Sequence, residues 1–212
     1  MNKEEMIVRL LQAKIIPVLR KVSPAVFMDV VDALSAGGVT AVEITMDSED
    51  ASSLIRNVKE RYGEKMAVGA GTVMDHADLS EALKAGAEFI VSPILDESVV
   101  KGANAEQVPV IPGVLSPTEV VQAIRSGADM VKIFPAGTLG PAYVKNIKGP
   151  LGDIPIMCTG GIDAENAADY LKAGAKIVGA GSSLIRKDLI AEQDWSGLTK
   201  EVEKWFLQLN HL

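Results

Sequence analysis

The chain has 212 residues, 48% of them hydrophobic and 23% charged, which is the makeup of an ordinary globular protein with a substantial core. Its formal charge is −7 and it has no block of Lys or Arg, which argues against nucleic acid or an anionic membrane as a partner. The single cysteine, Cys158, excludes an intramolecular disulfide and suits a reducing compartment.

The opening stretch, MNKEEMIVRLLQAK, carries acidic residues and interrupts its apolar positions, so it reads as neither a leader peptide nor a membrane span. A cytoplasmic protein is expected. A helix is expected from about Lys3 to Ala13, with Ile7, Leu10 and Leu11 on one stripe. Beyond it one pattern recurs four times: Leu34-Ser-Ala-Gly-Gly-Val-Thr-Ala-Val-Glu-Ile44, Leu83-Lys-Ala-Gly-Ala-Glu-Phe-Ile-Val91, Ile124-Arg-Ser-Gly-Ala-Asp-Met-Val-Lys132 and Leu171-Lys-Ala-Gly-Ala-Lys-Ile-Val178. Each is a helix stopped at glycine and followed at once by a strand.

Gly37, Gly86, Gly127 and Gly174 are separated by 49, 41 and 47 residues, room for two strand–helix units per repeat. Further strands are expected at Ile15–Arg20, Met66–Ala70, Val108–Ile111 and Ile154–Cys158. Helix starts are marked by Ser116-Pro117-Thr118-Glu119, Ser23-Pro24 and Asp163. Asp47, Glu49 and Asp50 are expected to cap and solvate the helix after them. A last helix, about Trp195 to Leu209, should turn Leu198, Val202, Trp205 and Phe206 inward. Alternation with eight strand positions predicts one (β/α)8 barrel domain, residues 1–212, with the extra N-terminal helix across its floor. A doubly wound open sheet is the alternative.

The candidate chemistry lies at the strand ends. Met130, Val131, Ile133 and Phe134 read as a buried strand, yet Lys132 stands among them. Loss of water favours the neutral amine, a nucleophile toward carbonyls, although a lysine that snorkels to the strand end and pairs with a carboxylate would look alike. Glu43 lies between Val42 and Ile44, where burial suits proton transfer near neutrality. An ion pair with Lys132 or Arg20 is the structural alternative. The other strands end in Arg20, Thr45, Gly69-Ala-Gly-Thr72, Ser92-Pro93, Pro112-Gly113, Thr159-Gly160-Gly161 and Gly179-Ala-Gly181-Ser182-Ser183. The last two loops each lead to a helix start, with a short helical stretch expected at Ser183 to Arg186, and suit a phosphate or carboxylate. Neither is a dinucleotide fingerprint. With His76 and His211 as the only histidines and no ligand cluster, no metal site is expected, and Cys158 reads as a core residue.

Taken together, Glu43-Ile-Thr45, Gly69-Ala-Gly-Thr72, Lys132-Ile-Phe-Pro-Ala136, Thr159-Gly-Gly161 and Gly181-Ser182 resemble the bacterial 2-keto-3-deoxy-6-phosphogluconate / 4-hydroxy-2-oxoglutarate aldolases. The resemblance runs in order from about Ile16 to Leu184. It implies a metal-free, cofactor-free class I enzyme in which Lys132 forms a Schiff base with a 2-keto acid and Glu43 is the general acid/base. It further implies that Thr45, Thr72, Pro93, Phe134 and Thr159 contact substrate, that Gly160, Gly161, Gly181 and Ser182 hold phosphate, and that the enzyme is a homotrimer. One departure stands out. Many members read Glu-Val-Thr-Leu-Arg, whereas here Met46 and Asp47 follow Thr45, which leaves Arg20 as the substitute for holding the substrate carboxylate. A phosphosugar isomerase or epimerase using Glu43 as base, and a silent binder of phosphorylated acids, are the rival readings.

Overall fold

The computed structural model describes residues 1–209. Helix α1 (Lys3–Ala13) comes first, fixed by a capping box: the Asn2 side chain accepts from the Glu5 amide, and the Glu5 carboxylate accepts from the Asn2 amide. Strands and helices then alternate as β1 (Ile15–Leu19), α2 (Pro24–Ala36), β2 (Ala41–Thr45), α3 (Ala51–Tyr62), β3 (Ala67–Gly71), α4 (His76–Ala85), β4 (Phe89–Val91) and α5 (Glu97–Ala105). The second half contains β5 (Val110–Ile111), β6 (Gly113–Val114), α6 (Pro117–Arg125), β7 (Val131–Ile133), α7 (Ala136–Leu139) and α8 (Pro141–Leu151). It ends with β8 (Ile156–Thr159), α9 (Ala167–Lys172), β9 (Ile177–Ala180), α10 (Lys187–Ala191) and α11 (Trp195–Leu209).

All strand pairs are parallel, in the order β5-β4-β3-β2-β1-β9-β8-β7-β6. The two ends of that order, β5 and β6, are separated in sequence only by Pro112. Proline has no N–H for the ladder, and the Pro112 carbonyl accepts from the Lys132 amide at 2.8 Å. The fifth strand therefore changes partner at this residue, β5 lying on β4 and β6 on β7. It does not stop at Ile111, as expected, but resumes through Val114. The ring thus closes over eight strand positions as a (β/α)8 barrel, and the open-sheet alternative falls because the two ends of the strand order are consecutive pieces of one strand.

Side chains alternate across each strand and make two apolar layers. Inside the ring, Ile16, Ala41, Ala67, Phe89, Met130, Met157 and Ile177 pack on Met6, Leu10 and Ala13 of α1. That helix plugs the floor, as expected, although its buried line is Met6–Leu10–Ala13 while Ile7 and Leu11 are only half-buried. Outside the ring, Leu19, Val42, Ile44, Val68, Val131, Ile133 and Cys158 meet the helices. Full burial of each large side chain here contributes about 1.5–3 kcal/mol. Helix α11 buries Leu198, Val202 and Trp205 as expected, but its fourth inward residue is Leu209, with Phe206 half-buried.

Three of the four repeat glycines, Gly86, Gly127 and Gly174, do stop their helices in the left-handed region. In the first repeat Gly38 takes that conformation, with φ of 102°, and Gly37 instead lets α11 approach: a Cβ there would stand 2.6 Å from Val202 Cβ. Ser116 makes the full capping box expected of it, whereas Ser23 precedes Pro24 without a side-chain cap bond. Asp163 caps a turn, accepting from the Glu165 and Asn166 amides, and α9 begins only at Ala167. No helix among the described residues is long and apolar enough to cross a membrane.

Candidate active site

The alternation that puts Val131 and Ile133 on the outer face turns Lys132 into the barrel, where it is 3% exposed. In the same way Val42 and Ile44 face out and Glu43 faces in, with no exposure at all. Both residues stand one layer above the apolar floor. The registers Val18↔Glu43↔Gly69 and Gly113↔Lys132↔Met157 place them on separate arcs of the ring.

A cavity of about 360 Å³ opens above this layer at the carboxyl ends of the strands. Lys132, Arg20, Phe134 and Thr159 line it. So do all four residues expected to bind phosphate, Gly160, Gly161, Gly181 and Ser182. The Lys132 Nζ stands 5.3 Å from the centre of the Phe134 ring, so the aromatic face forms one side of its pocket. Gly160 and Gly161 turn the β8 loop through φ of 87° and 75°, and a Cβ on Gly160 would lie 3.0 Å from the Phe134 ring. The β9 loop is tied to this turn by the Ser183 hydroxyl, which donates to the Ile162 carbonyl at 2.5 Å. The helical stretch expected at Ser183 to Arg186 is a single turn in which the Leu184 and Ile185 amides donate to the Gly181 carbonyl, and α10 begins at Lys187.

The electrostatics of Glu43 are set by burial, which holds its carboxyl well above the usual carboxylate range, with Lys132 and then Arg20 pulling it part of the way back. Neither carboxylate oxygen has a hydrogen-bond partner among the described residues, and the Thr159 hydroxyl is likewise buried without one. The ion-pair reading of Glu43 therefore fails. Three polar atoms are left for something other than the protein to satisfy.

A stability measurement follows from the sign of that shift. Between the ordinary carboxylate pKa and the raised folded value, the folded chain keeps a proton that the unfolded chain has lost, so stability falls as pH rises across that window. Glu43→Gln removes this dependence. Its Tm relative to the parent should climb as pH rises from the ordinary carboxylate pKa toward the raised folded value, and a pH-independent difference would contradict the assignment.

Arg20 projects from the end of β1, its side chain 49% exposed, and its Nη2 donates to the Thr72 hydroxyl at 2.9 Å. Its Nη1 lies 3.3 Å from Asp47, which is also 3.7 Å from the Lys21 ammonium. Asp47 was expected to serve the following helix. It serves Arg20 instead, while Asp50 holds the N-cap position of α3 without a side-chain cap bond.

Three expected substrate contacts do not line the cavity: Thr72, which holds Arg20, and also Thr45 and Pro93. Thr45 is fully buried, its hydroxyl 2.9 Å from Ser48 Oγ and 3.5 Å from the Leu19 carbonyl, so it braces the turn after β2 and does not face the cavity. Pro93 lies with its backbone against Gly113, where an added Cβ would come within 2.2 Å of it, and does not line the cavity. Ser48 was missed: it also accepts from the Lys21 amide at 2.9 Å and so shapes the approach to Arg20. Val18 was missed as a cavity wall, although its alternation with Ile16 foretells it. Cys158 is a core residue on the outer face of β8, its thiol pushed up to about 12 by burial. His211 lies outside the described residues, which contain no group of three or more His, Cys, Asp or Glu placed to hold a metal ion.

A buried amine on the cavity wall and a buried, unpartnered carboxylate on the inner face of the same parallel barrel mark an enzyme that activates carbonyl compounds, a barrel lyase. Residues 6–201 match the family model for KDPG and KHG aldolase, and the chain belongs to that family. It is 37% identical over 186 residues to the 2-dehydro-3-deoxy-phosphogluconate aldolase of Pseudomonas aeruginosa, covering 87% of this chain and 84% of that one. The 2-dehydro-3-deoxy-6-phosphogalactonate aldolase of Escherichia coli is 34% identical over 173 residues, with coverages of 81% and 84%. Among solved structures, the KDPG aldolase of Legionella pneumophila, with pyruvate captured as a covalent carbinolamine, superposes with a TM-score of 0.85 at 27% identity, over 92% of this chain and 95% of that one.

Proposed function

We propose that this chain is a class I aldolase that cleaves 2-dehydro-3-deoxy-6-phosphogluconate to pyruvate and glyceraldehyde 3-phosphate, and 4-hydroxy-2-oxoglutarate to pyruvate and glyoxylate. The observation that carries the reading is the interior placement of Lys132 together with a Glu43 carboxylate whose oxygens are both unpartnered. The Lys132 amine attacks the C2 ketone, and the carbinolamine loses water with a proton supplied by Glu43. The resulting iminium draws the electron pair of the C3–C4 bond as that bond breaks. The C4 hydroxyl gives up its proton to the Glu43 carboxylate and becomes the aldehyde. Glu43 then returns a proton to the enamine, and hydrolysis frees pyruvate and the amine.

Arg20, braced by Thr72 and Asp47, is the group that meets the substrate carboxylate, with the two glycine loops after β8 and β9 on the same rim for phosphate. Arg20→Ala should raise the KM of pyruvate-bearing substrates by about 10-fold or more, because a charge-assisted hydrogen bond is lost. An unchanged KM would remove Arg20 from the site.

The reading extends to assembly and location as a cytoplasmic homotrimer. Met74, Ile94 and Leu115, on the loops after β3, β4 and β6, are 41%, 42% and 44% exposed, apolar side chains suited to contact with a second copy. Sedimentation equilibrium at a monomer mass would contradict the trimer. The catalytic reading is tested by steady-state pyruvate release from the phosphogluconate-derived acid, its galactonate epimer and 4-hydroxy-2-oxoglutarate. The phosphorylated gluconate-derived acid should have the highest kcat/KM, and release from none of the three would overturn the proposal.

A further inference from the structure

We infer that Gly71 is a positioning residue for the Glu43 carboxylate, an assignment that rests on the reading of Glu43 as the proton-transfer group. Strands β2 and β3 pair with Glu43 opposite Gly69 and Thr45 opposite Gly71. The Glu43 side chain leans along the strand over Gly71, the next inward position of β3. A Cβ added there would lie 2.0 Å from Glu43 Oε1, 2.5 Å from Cγ and 2.6 Å from Cδ. The carboxylate therefore occupies the volume that any side chain at position 71 would fill.

Backbone geometry does not call for a glycine at this position. Gly71 is absent from the glycines with positive φ, so an L-residue fits its backbone and only the space is refused. Gly69, one layer lower, clears a comparable niche, where a Cβ would meet the Phe89 ring at 2.3 Å. Two missing side chains on one strand thus make two stacked recesses, the lower holding an aromatic ring and the upper a carboxylate. Across the barrel, Gly179 does the same for the unpartnered Thr159 hydroxyl, 2.4 Å from its added Cβ.

The carboxylate has no hydrogen bond to hold it among the described residues, so the walls of this recess define where it stands. Displacement of a reacting group by about 1 Å can cost about 100-fold in rate. Gly71→Ala should thus lose about 100-fold or more in kcat and in the exchange of pyruvate methyl protons with deuterium. After long incubation the extent of borohydride trapping of pyruvate on Lys132 should stay within about threefold of the parent, as should the KM for substrate, because slower proton transfer delays the imine without changing how much of it forms at equilibrium.

The control is Glu43→Gln. If that variant is impaired while Gly71→Ala turns over like the parent, the inference fails and the role of Glu43 stands. If Glu43→Gln is fully active, the reading beneath both falls. The double variant Gly71→Ala/Glu43→Asp, with a side chain shorter by one methylene, should regain the Tm that Gly71→Ala loses. A double variant no more stable, or no better folded, than the single one would show that Gly71 is not making room for Glu43.

Discussion

Lys132→Met should fold normally and lose activity by on the order of 10⁵-fold or more. Methionine fills a similar volume on the inner face of β7, and replacing a buried amine with an apolar group leaves no polar atom stranded there, so Tm should hold or rise. What disappears is the nucleophile: without an iminium, the electron pair of the C3–C4 bond has nowhere to go. The variant should also fail to exchange the methyl protons of pyruvate, a reaction that needs only the enamine. This separates a Schiff-base enzyme from a barrel isomerase in which Lys132 acts as a charge, since such an enzyme makes no pyruvate imine. Retention of more than about 1% of parental kcat/KM would be incompatible with covalent catalysis.

Glu43→Gln should cost about 10²- to 10⁴-fold in kcat, the usual range for loss of a general acid/base, while pyruvate still forms an adduct on Lys132. Burial raises the proton affinity of this carboxyl, so in the parent the alkaline limb of the kcat/KM profile should lie above the ordinary carboxylate range, activity falling as Glu43 loses the proton it supplies to the carbinolamine. Glutamine cannot titrate, and that limb should be absent from the residual activity. The same variant is expected to be relatively more stable at high pH. The buried carboxylate would thus be kept at a cost in stability, as sites built for chemistry commonly are. Unchanged kcat, or an alkaline limb that survives the substitution, would take Glu43 out of the mechanism.

The two interior ionisable groups were legible because each lies between apolar residues that face outward. Val-Lys-Ile and Val-Glu-Ile leave the middle residue only the inside of the ring. The rim was less legible, since alternation fails where a strand passes into its loop. Thr45 has the inward parity of Glu43, yet at the last residue of β2 its hydroxyl finds Ser48 and the Leu19 carbonyl before it finds the cavity. The Asp47–Arg20 pair joins residues 27 apart and depends on β1 and β2 being neighbours. As an acid just ahead of a helix, Asp47 has the local signature of a cap, and tertiary pairing prevailed. The break at Pro112 divides a strand into two pieces of two residues each, too short for any period to register. Glycines were the least transparent. Gly37 reads as a helix stop and Gly71 as part of a strand end, whereas one admits Val202 and the other the Glu43 carboxylate, and a missing side chain does not announce what fills its place.

The most direct measurement is mass spectrometry of the intact chain, and of its peptides, after incubation with pyruvate and borohydride. The expected result is one reduced pyruvyl group per chain, mapped to the peptide bearing Lys132 and absent from Lys132→Met. An unmodified chain, or a pyruvyl group carried by any other lysine, would contradict the account.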